Sequence, residues 1–194
     1  MGPPGSASRM QRDLVVRARE GDHDAFSELA AGAIERLLRV ARLIVRDDDR
    51  AQDAVQDALV TAWLNVRALR DPDRFDAWLH RVLVRSCYRT AGSERRHRVA
   101  ELPLLPIDRE VAQDAEHTVA IRDQLDRGFR RLPVDLRAVL VVHHYLSLRD
   151  QEAADMLDIP LGTMKSRLHR ATAALRAALE AEERAEAIHQ ESLA

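Results

Sequence analysis

Polar side chains that can donate or accept hydrogen bonds cluster within eight consecutive residues of the C-terminal half. They are Thr163, Lys165, Ser166, Arg167, His169 and Arg170. Met164, Leu168, Ala171 and Leu175 recur between and after them at helical spacing, which predicts a helix with one buried and one polar face. Lysine and arginine can donate to guanine or phosphate, and the other types can donate or accept, so the polar face suits the major groove of DNA. The solvated face of an ordinary helical hairpin is the competing interpretation.

The residues just upstream have the turn chemistry of a helix-turn-helix. Ala153 and Ala154 are small enough for two short helices to cross closely, and Asp158-Ile159-Pro160 has the composition of the turn. Proline stops the first helix and favours the start of the second. We therefore predict helices over about 149–157 and 161–180, with Arg149 as a further DNA contact.

A second cationic group follows an aromatic segment in the N-terminal half. It consists of Arg81, Arg85, Tyr88, Arg89, Arg95 and Arg96. The first four are expected to share a helix face opposite Trp78 and Val82. Cations for phosphates beside an aromatic ring for an unstacked base suit single-stranded DNA. A basic helix end that interacts favourably with the helix dipole explains the same residues equally well.

An acidic and amide group precedes this basic segment. Asp53, Gln56 and Asp57 occupy positions i, i+3 and i+4, away from the apolar stripe that contains Val55 and Leu59. This spacing predicts one exposed face. Either a protein partner or plain solubility accounts for it.

These groups must be positioned by helices, because the hydrophobic periodicity is helical throughout. A short helix over 12–20 precedes a longer one capped by Asp22 or Asp24. Asp47, Asp48 and Asp49 supply caps for a third helix, and Asp71-Pro72 opens a fourth. The sequence therefore predicts an all-α fold with two small helical domains joined by a flexible linker.

The expected organisation has five segments. Helical periodicity is lost after residue 90 and resumes near residue 118, with Gly, Pro and charged residues between. We predict a disordered leader over 1–11, a four-helix domain over 12–98, a linker over 99–117, a helix-turn-helix domain over 118–181 and a polar, fraying tail over 182–194.

Composition restricts the function further. The 194 residues have a net charge of −2 and a single cysteine, Cys87. A lone cysteine forms no internal disulfide, which fits a reducing cytoplasm, and no apolar run is long enough for membrane insertion. We expect no enzyme activity, no cofactor and no metal, because the adjacent His143 and His144 point about 100° apart on a helix. Cys87 also has no histidine partner nearby in sequence.

Four segments resemble a known family. Residues 159–171 resemble the second helix of region 4 in bacterial RNA polymerase sigma factors of the extracytoplasmic-function (ECF) group of the sigma-70 family, and 130–140 resemble the segment just upstream of it. Residues 51–63 are similar to region 2.2, and 75–79 to the start of regions 2.3–2.4.

The resemblance implies an alternative sigma factor that responds to stress or an envelope signal. Its region 2 domain would contact the β′ clamp helices of core RNA polymerase through the acidic and amide face, and would open the −10 element of promoter DNA through the Arg81–Arg96 group. Its region 4 domain would bind the β flap and read the −35 element. The family also implies an anti-sigma factor as a partner.

Arg85 and Arg89 depart from the Asn and Asp that are common at these positions. The acidic linker would thread toward the polymerase active site, or serve only as a tether.

Two other functions fit the helix-turn-helix alone. A response-regulator-type transcription factor would carry a receiver of alternating strands and helices upstream, and residues 12–90 show no strand alternation. An adaptor would bind polymerase without reading DNA.

Overall fold

The chain divides into two compact units, residues Met1–His97 and Arg98–Ala194. The computed structural model describes residues 4–97 and 124–191, and all regular structure within these ranges is helical. The predicted all-α class with two helical domains is therefore confirmed. The linker expected over 99–117 lies outside the described residues.

Unit 1 contains four α-helices. They are α1 Pro4–Arg19, α2 His23–Val45, α3 Asp48–Asn65 and α4 Phe75–His97, with 3₁₀ turns at Val66–Ala68 and Pro72–Arg74 before α4. Three aspartates begin helical segments by accepting hydrogen bonds from the backbone: Asp22 from the Ala25 N–H at 3.0 Å, Asp47 from that of Arg50 at 2.9 Å, and Asp71 from that of Asp73 at 3.1 Å. Such caps satisfy donors that a helix start leaves without partners.

The core of unit 1 joins α2, α3 and α4. Four alanines of α3 (Ala51, Ala54, Ala58 and Ala62) are fully buried, so both neighbouring helices can approach α3 closely. Phe75, Leu37 and Ile44 are among the largest fully buried side chains. The polar residues Asp53, Gln56 and Asp57 lie on the opposite side of α3 and are exposed.

Unit 2 begins, in its described part, with α5 over residues 124–131. It continues with α6 Val134–Leu140, a π-helical turn Val141–Tyr145, α7 Asp150–Leu157 and α8 Leu161–Glu191. The long α8 packs against both α6 and α7. Gly128 of α5 packs against α8, where an added Cβ would lie only 2.9 Å from a methyl group of Leu175.

Three helices extend beyond the residues where the hydrophobic periodicity predicted them to begin or end. The helix that starts unit 1 begins at Pro4 rather than at 12, so the leader expected to be disordered over 1–11 is helical from Pro4. The helix α4 continues to His97, beyond the loss of periodicity after residue 90, and α8 continues to Glu191 through the expected tail. The extension of α8 is rich in strong helix formers (Ala, Arg and Glu), which favour a helix without an apolar stripe.

Two findings concern the wider class of protein. Residues 4–97 contain no strand, so they do not form the β-sheet receiver that the response-regulator interpretation requires. No helix in the described ranges is both long and apolar enough to span a membrane.

Candidate nucleic-acid interface

The second helix of the helix-turn-helix is held by a tight turn. Asp158 adopts a left-handed conformation with φ of 56° and donates its backbone N–H to the Ala154 carbonyl. The N–H of Met164 then donates to the Pro160 carbonyl at 2.9 Å. Ala153 and Met164 are fully buried. The turn predicted at 158–160 is therefore present, and α8 leaves it with one face buried.

Four of the six polar residues predicted on α8 are exposed: Lys165, Ser166, His169 and Arg170. Ser166 donates its hydroxyl to the Thr163 carbonyl at 3.0 Å, and Arg170 reaches the Ser166 carbonyl with its Nε at 3.4 Å. Within the described part of the chain, the side chains of Lys165 and His169 have no polar partner. This cluster can present both hydrogen-bond donors and acceptors to a ligand.

The other two residues of the α8 set are half-buried. Thr163 lies at the edge of the exposed face. Arg167 lies three residues after Met164 and four before Ala171, and both of those side chains are fully buried. Residues at these spacings share one side of a helix. The Nε of Arg167 is 3.7 Å from a carboxylate oxygen of Asp135 on α6, so the structure separates Arg167 from the exposed cluster.

Arg149 precedes the first residue of α7. Its backbone N–H donates to Glu152 at 3.0 Å, and its guanidinium donates to both carboxylate oxygens of Glu152, at 3.2 and 2.9 Å. These hydrogen bonds lower the pKa of Glu152 to about 2, with the Arg149 side chain as the largest cause. The Arg149 side chain remains 86% exposed, so its outer surface can still meet a phosphate.

The basic face of α4 differs from its prediction in one respect. Trp78 and Val82 were expected opposite Arg81 and Arg85, but Trp78 precedes Arg81 by three residues and Arg85 by seven. These spacings return to the same side of a helix, and both apolar residues are only half-buried. The prediction was wrong, and it placed an indole on the wrong side. An aromatic ring and the two guanidinium groups therefore share the surface of α4.

The remaining residues of the α4 group continue this surface. Arg89 is exposed and donates to the buried Ser86 hydroxyl at 2.9 Å. Tyr88 is half-buried, and its hydroxyl oxygen is inaccessible to solvent. Arg95 and Arg96 lie on the last turns of α4, but their side chains fall outside the described residues.

The acidic and amide face of α3 is exposed as its spacing predicted. Asp53, Gln56 and Asp57 form no ion pair or hydrogen bond with any residue that the structure describes. Two apolar side chains that the sequence interpretation missed continue the same face, at seven residues from each aspartate. They are Val60 and Leu64, which are 55% and 72% exposed. The available signal was an apolar i, i+4 pair outside the buried stripe of α3.

Cys87 and His143, two groups whose types could support catalysis, are buried or contact a neighbouring side chain. Cys87 is fully buried, and burial raises the pKa of its thiol to about 12, so a reactive thiolate does not form at neutral pH. His143 contacts Asp150 at 3.2 Å, which connects the π turn to the start of α7. The described ranges contain no cluster of three or more potential metal ligands.

Two helical units, one with a polar recognition helix in a helix-turn-helix, define an all-α protein of the DNA-binding class. The family models for sigma-70 region 2 and sigma-70 region 4 match residues 32–97 and 122–175. The ECF RNA polymerase sigma factor SigM of Mycobacterium tuberculosis is 32% identical over 176 residues, which cover 90% of this chain and 87% of SigM.

Two solved structures have a similar fold. CnrH, solved in complex with the cytosolic domain of CnrY, matches with a TM-score of 0.58 and 27% identity, over 89% of this chain and 98% of CnrH. The sigma factor RpoE of Bartonella quintana, solved with the anti-sigma factor NepR, has the same fold, with a TM-score of 0.58 at 20% identity over 80% and 96% of the two chains. Within the DNA-binding class, this chain belongs to the sigma-70 family, in the ECF group of alternative sigma factors.

Proposed function

We propose that this chain binds core RNA polymerase in the cytoplasm and directs initiation at promoters with −10 and −35 elements, in response to a stress or envelope signal. One observation carries the proposal: each unit exposes a cationic helix face, and the two faces have different chemistry. The face of α8 offers hydrogen-bonding groups, including the imidazole of His169, without an indole or phenol ring, whereas that of α4 combines arginines with an indole.

The exposed residues of α8 read the −35 element in this proposal. Lys165 and Arg170 donate to guanine or phosphate, and Ser166 and His169 contact neighbouring base edges. Each good base contact discriminates by about 1–3 kcal/mol, so one short helix supplies limited specificity. Thr163 and Arg149 border this face and contact the DNA backbone.

The surface of α4 opens and holds the −10 element. Arg81, Arg85 and Arg89 lie beside Trp78 and Tyr88, so phosphates and unstacked bases can be held side by side. Base stacking on aromatic rings is worth about 1–3 kcal/mol per base and is available only after the strands separate. Arg95 and Arg96 extend the cationic end of the helix.

The outer face of α3 docks on the β′ clamp helices, while unit 2 binds the β flap. Asp53, Gln56 and Asp57 supply charge complementarity to a basic partner, which speeds association. Val60 and Leu64 supply apolar surface, which such interfaces bury at their centre. Joining both units to one polymerase raises their effective concentration over a bipartite promoter.

An anti-sigma factor regulates the chain in this proposal. The support is that RpoE, which shares the fold, was solved with the anti-sigma factor NepR. We expect a cytoplasmic partner or domain to cover the α3 face, and thereby to prevent polymerase binding.

Reconstitution with core RNA polymerase tests the function. We expect promoter-specific transcripts from a subset of genomic fragments, with start sites that share two upstream elements. Core polymerase alone is the control, and the absence of any new start site on genomic templates would contradict the proposal.

A separate experiment tests the docking face. The variants Asp53→Lys with Asp57→Lys, and Val60→Ser with Leu64→Ser, should each weaken binding to core polymerase at least tenfold in a competition assay. Met10→Ser removes an exposed apolar side chain on α1 (59% exposed) and is the matched control, expected to bind as the unchanged chain does.

A further inference from the structure

In unit 2, two of the seven residues predicted to contact the −35 element form ion pairs with carboxylates. Arg149 pairs with Glu152 three residues away on the same helix start. Arg167 pairs with Asp135, which lies 32 positions earlier in the chain on a different helix. The second pair therefore joins the recognition helix to α6, whereas the first joins only neighbours.

Arg167 lies on the side of α8 that faces α6, where its Nε is 3.7 Å from Asp135. Its side chain is 27% exposed, and that of Asp135 is 39% exposed. Asp135 lies in the first turn of α6, where the helix dipole favours a negative charge. Lys165 and His169, each two residues away along α8, are exposed and have no carboxylate partner in the described ranges.

We propose that Arg167 is a positioning residue, whose ion pair with Asp135 fixes the rotation of α8 about its own axis and so aims the exposed side chains at the base edges. The inference rests on the proposed reading of DNA by α8. An ion pair that joins α8 to α6 beside the buried stripe opposes rotation, because a large turn of α8 would separate the two groups. Rotation by one residue position, about 100°, would replace the whole reading face.

The test compares Arg167→Gln, Asp135→Asn and the double variant in polymerase holoenzyme. Two quantities are measured: the ratio of affinities for the mapped promoter and for duplexes with altered −35 bases, and the dependence of nonspecific duplex binding on salt. Exposed or half-exposed ion pairs contribute about 0.2–1 kcal/mol, so each single variant should lower the ratio up to about fivefold. The double variant should lower it no further than either single variant.

A direct DNA contact by Arg167 predicts a different pattern. If Arg167 read a base, Arg167→Gln would relax discrimination at one position of the −35 element. If it met a phosphate, Arg167→Gln would reduce the salt dependence by about one contact. In either case Asp135→Asn would leave the ratio unchanged or raise it. Lys165→Ala serves as a true reader for comparison, and Asp155→Asn on α7 as a carboxylate change outside the pair. Opposite effects of the two single variants would overturn the inference.

Conservative variants keep the test valid if the neutral ones unfold. Arg167→Lys and Asp135→Glu retain the charges and should retain the affinity ratio, and loss of the ratio in folded Arg167→Lys would also contradict the ion-pair role. Failure of the unchanged chain to initiate at any promoter would contradict the proposed function instead. Normal initiation with additive effects of the two variants would contradict only this inference.

Discussion

The basic faces of α4 and α8 carry similar charges but differ in what lies between the charges. On α4, the half-buried Trp78 lies in line with Arg81 and Arg85, so guanidinium groups flank a flat apolar surface. On α8, the exposed cluster of Lys165, Ser166, His169 and Arg170 has no indole or phenol ring. Charge alone therefore does not distinguish the two faces, and the side chains between the cations do.

We propose that this difference suits each face to a different state of DNA. A ring can stack only on a base that has left the duplex, whereas compact donors and acceptors can reach base edges while the strands remain paired. We therefore expect substitutions on α4 to affect strand opening, and substitutions on α8 to affect recognition of duplex DNA.

The largest effect should come from removing both outer cations of α8. Lys165→Ala with Arg170→Ala should weaken holoenzyme binding to the −35 duplex about thirtyfold or more, because two contacts of about 1–3 kcal/mol each are lost. Binding to a single-stranded −10 oligonucleotide should change little. Arg184→Ala is the matched control, since this exposed arginine lies about 21 Å further along the same helix. Equal losses on both DNAs would remove the distinction between the faces.

A smaller effect is expected from Trp78. Trp78→Leu should reduce opening of the −10 element about tenfold, measured by permanganate reactivity of unpaired thymines, because a stacking surface is lost. Binding to the −35 duplex should be retained. Trp78→Phe keeps an aromatic ring beside Phe75 and should open the promoter nearly normally. Melting curves distinguish this effect from a loss of fold, and normal opening by folded Trp78→Leu would show that α4 uses only its charges.

The sequence predicted the helical starts at Asp22, Asp47 and Asp71 because these features are local, whereas it missed the start of α1 at Pro4. Helical periodicity repeats every few residues, and the caps at Asp22, Asp47 and Asp71 accept hydrogen bonds from backbone N–H donors no more than three residues away. The helix ends were less predictable. The extensions of α4 and α8 have no apolar stripe in their sequence, so hydrophobic periodicity does not predict them.

The candidate site was predicted in composition but not in its contacts. The pairing of Arg167 with Asp135 depends on how α6 packs against α8, and no local pattern fixes that. The position of Trp78 was different, because the spacing of three and seven residues from Arg81 and Arg85 already placed it on their side. Val60 and Leu64 were assigned neither to the buried stripe nor to the acidic face, although their spacing of four residues places them on one side of α3.

Arg149 should give a modest and uniform effect. Arg149→Ala should weaken duplex binding about two- to fivefold for every −35 sequence and reduce the salt dependence by about one contact, because a phosphate contact carries no sequence information. Measuring affinity across a set of −35 variants tests this. A loss confined to one base position would instead make Arg149 a base reader, and would widen the reading surface from α8 to α7.

The smallest effect concerns how unit 2 keeps the start of α7 folded. Arg149 holds the pKa of Glu152 at about 2, below the ordinary value of 4.5, so the unfolded chain takes up a proton at higher pH than the folded chain. The contribution of this pair to the free energy of unfolding is therefore complete above about pH 4.5 and disappears as the pH falls toward 2.

Glu152→Gln should lack this part of the pH dependence in urea titrations between pH 5 and 2.5. Glu28→Gln, an exposed change on α2 of unit 1, should keep it. Because the pair is fully exposed, the difference is small, and an unchanged pH dependence in Glu152→Gln would show that solvent screens the pair completely.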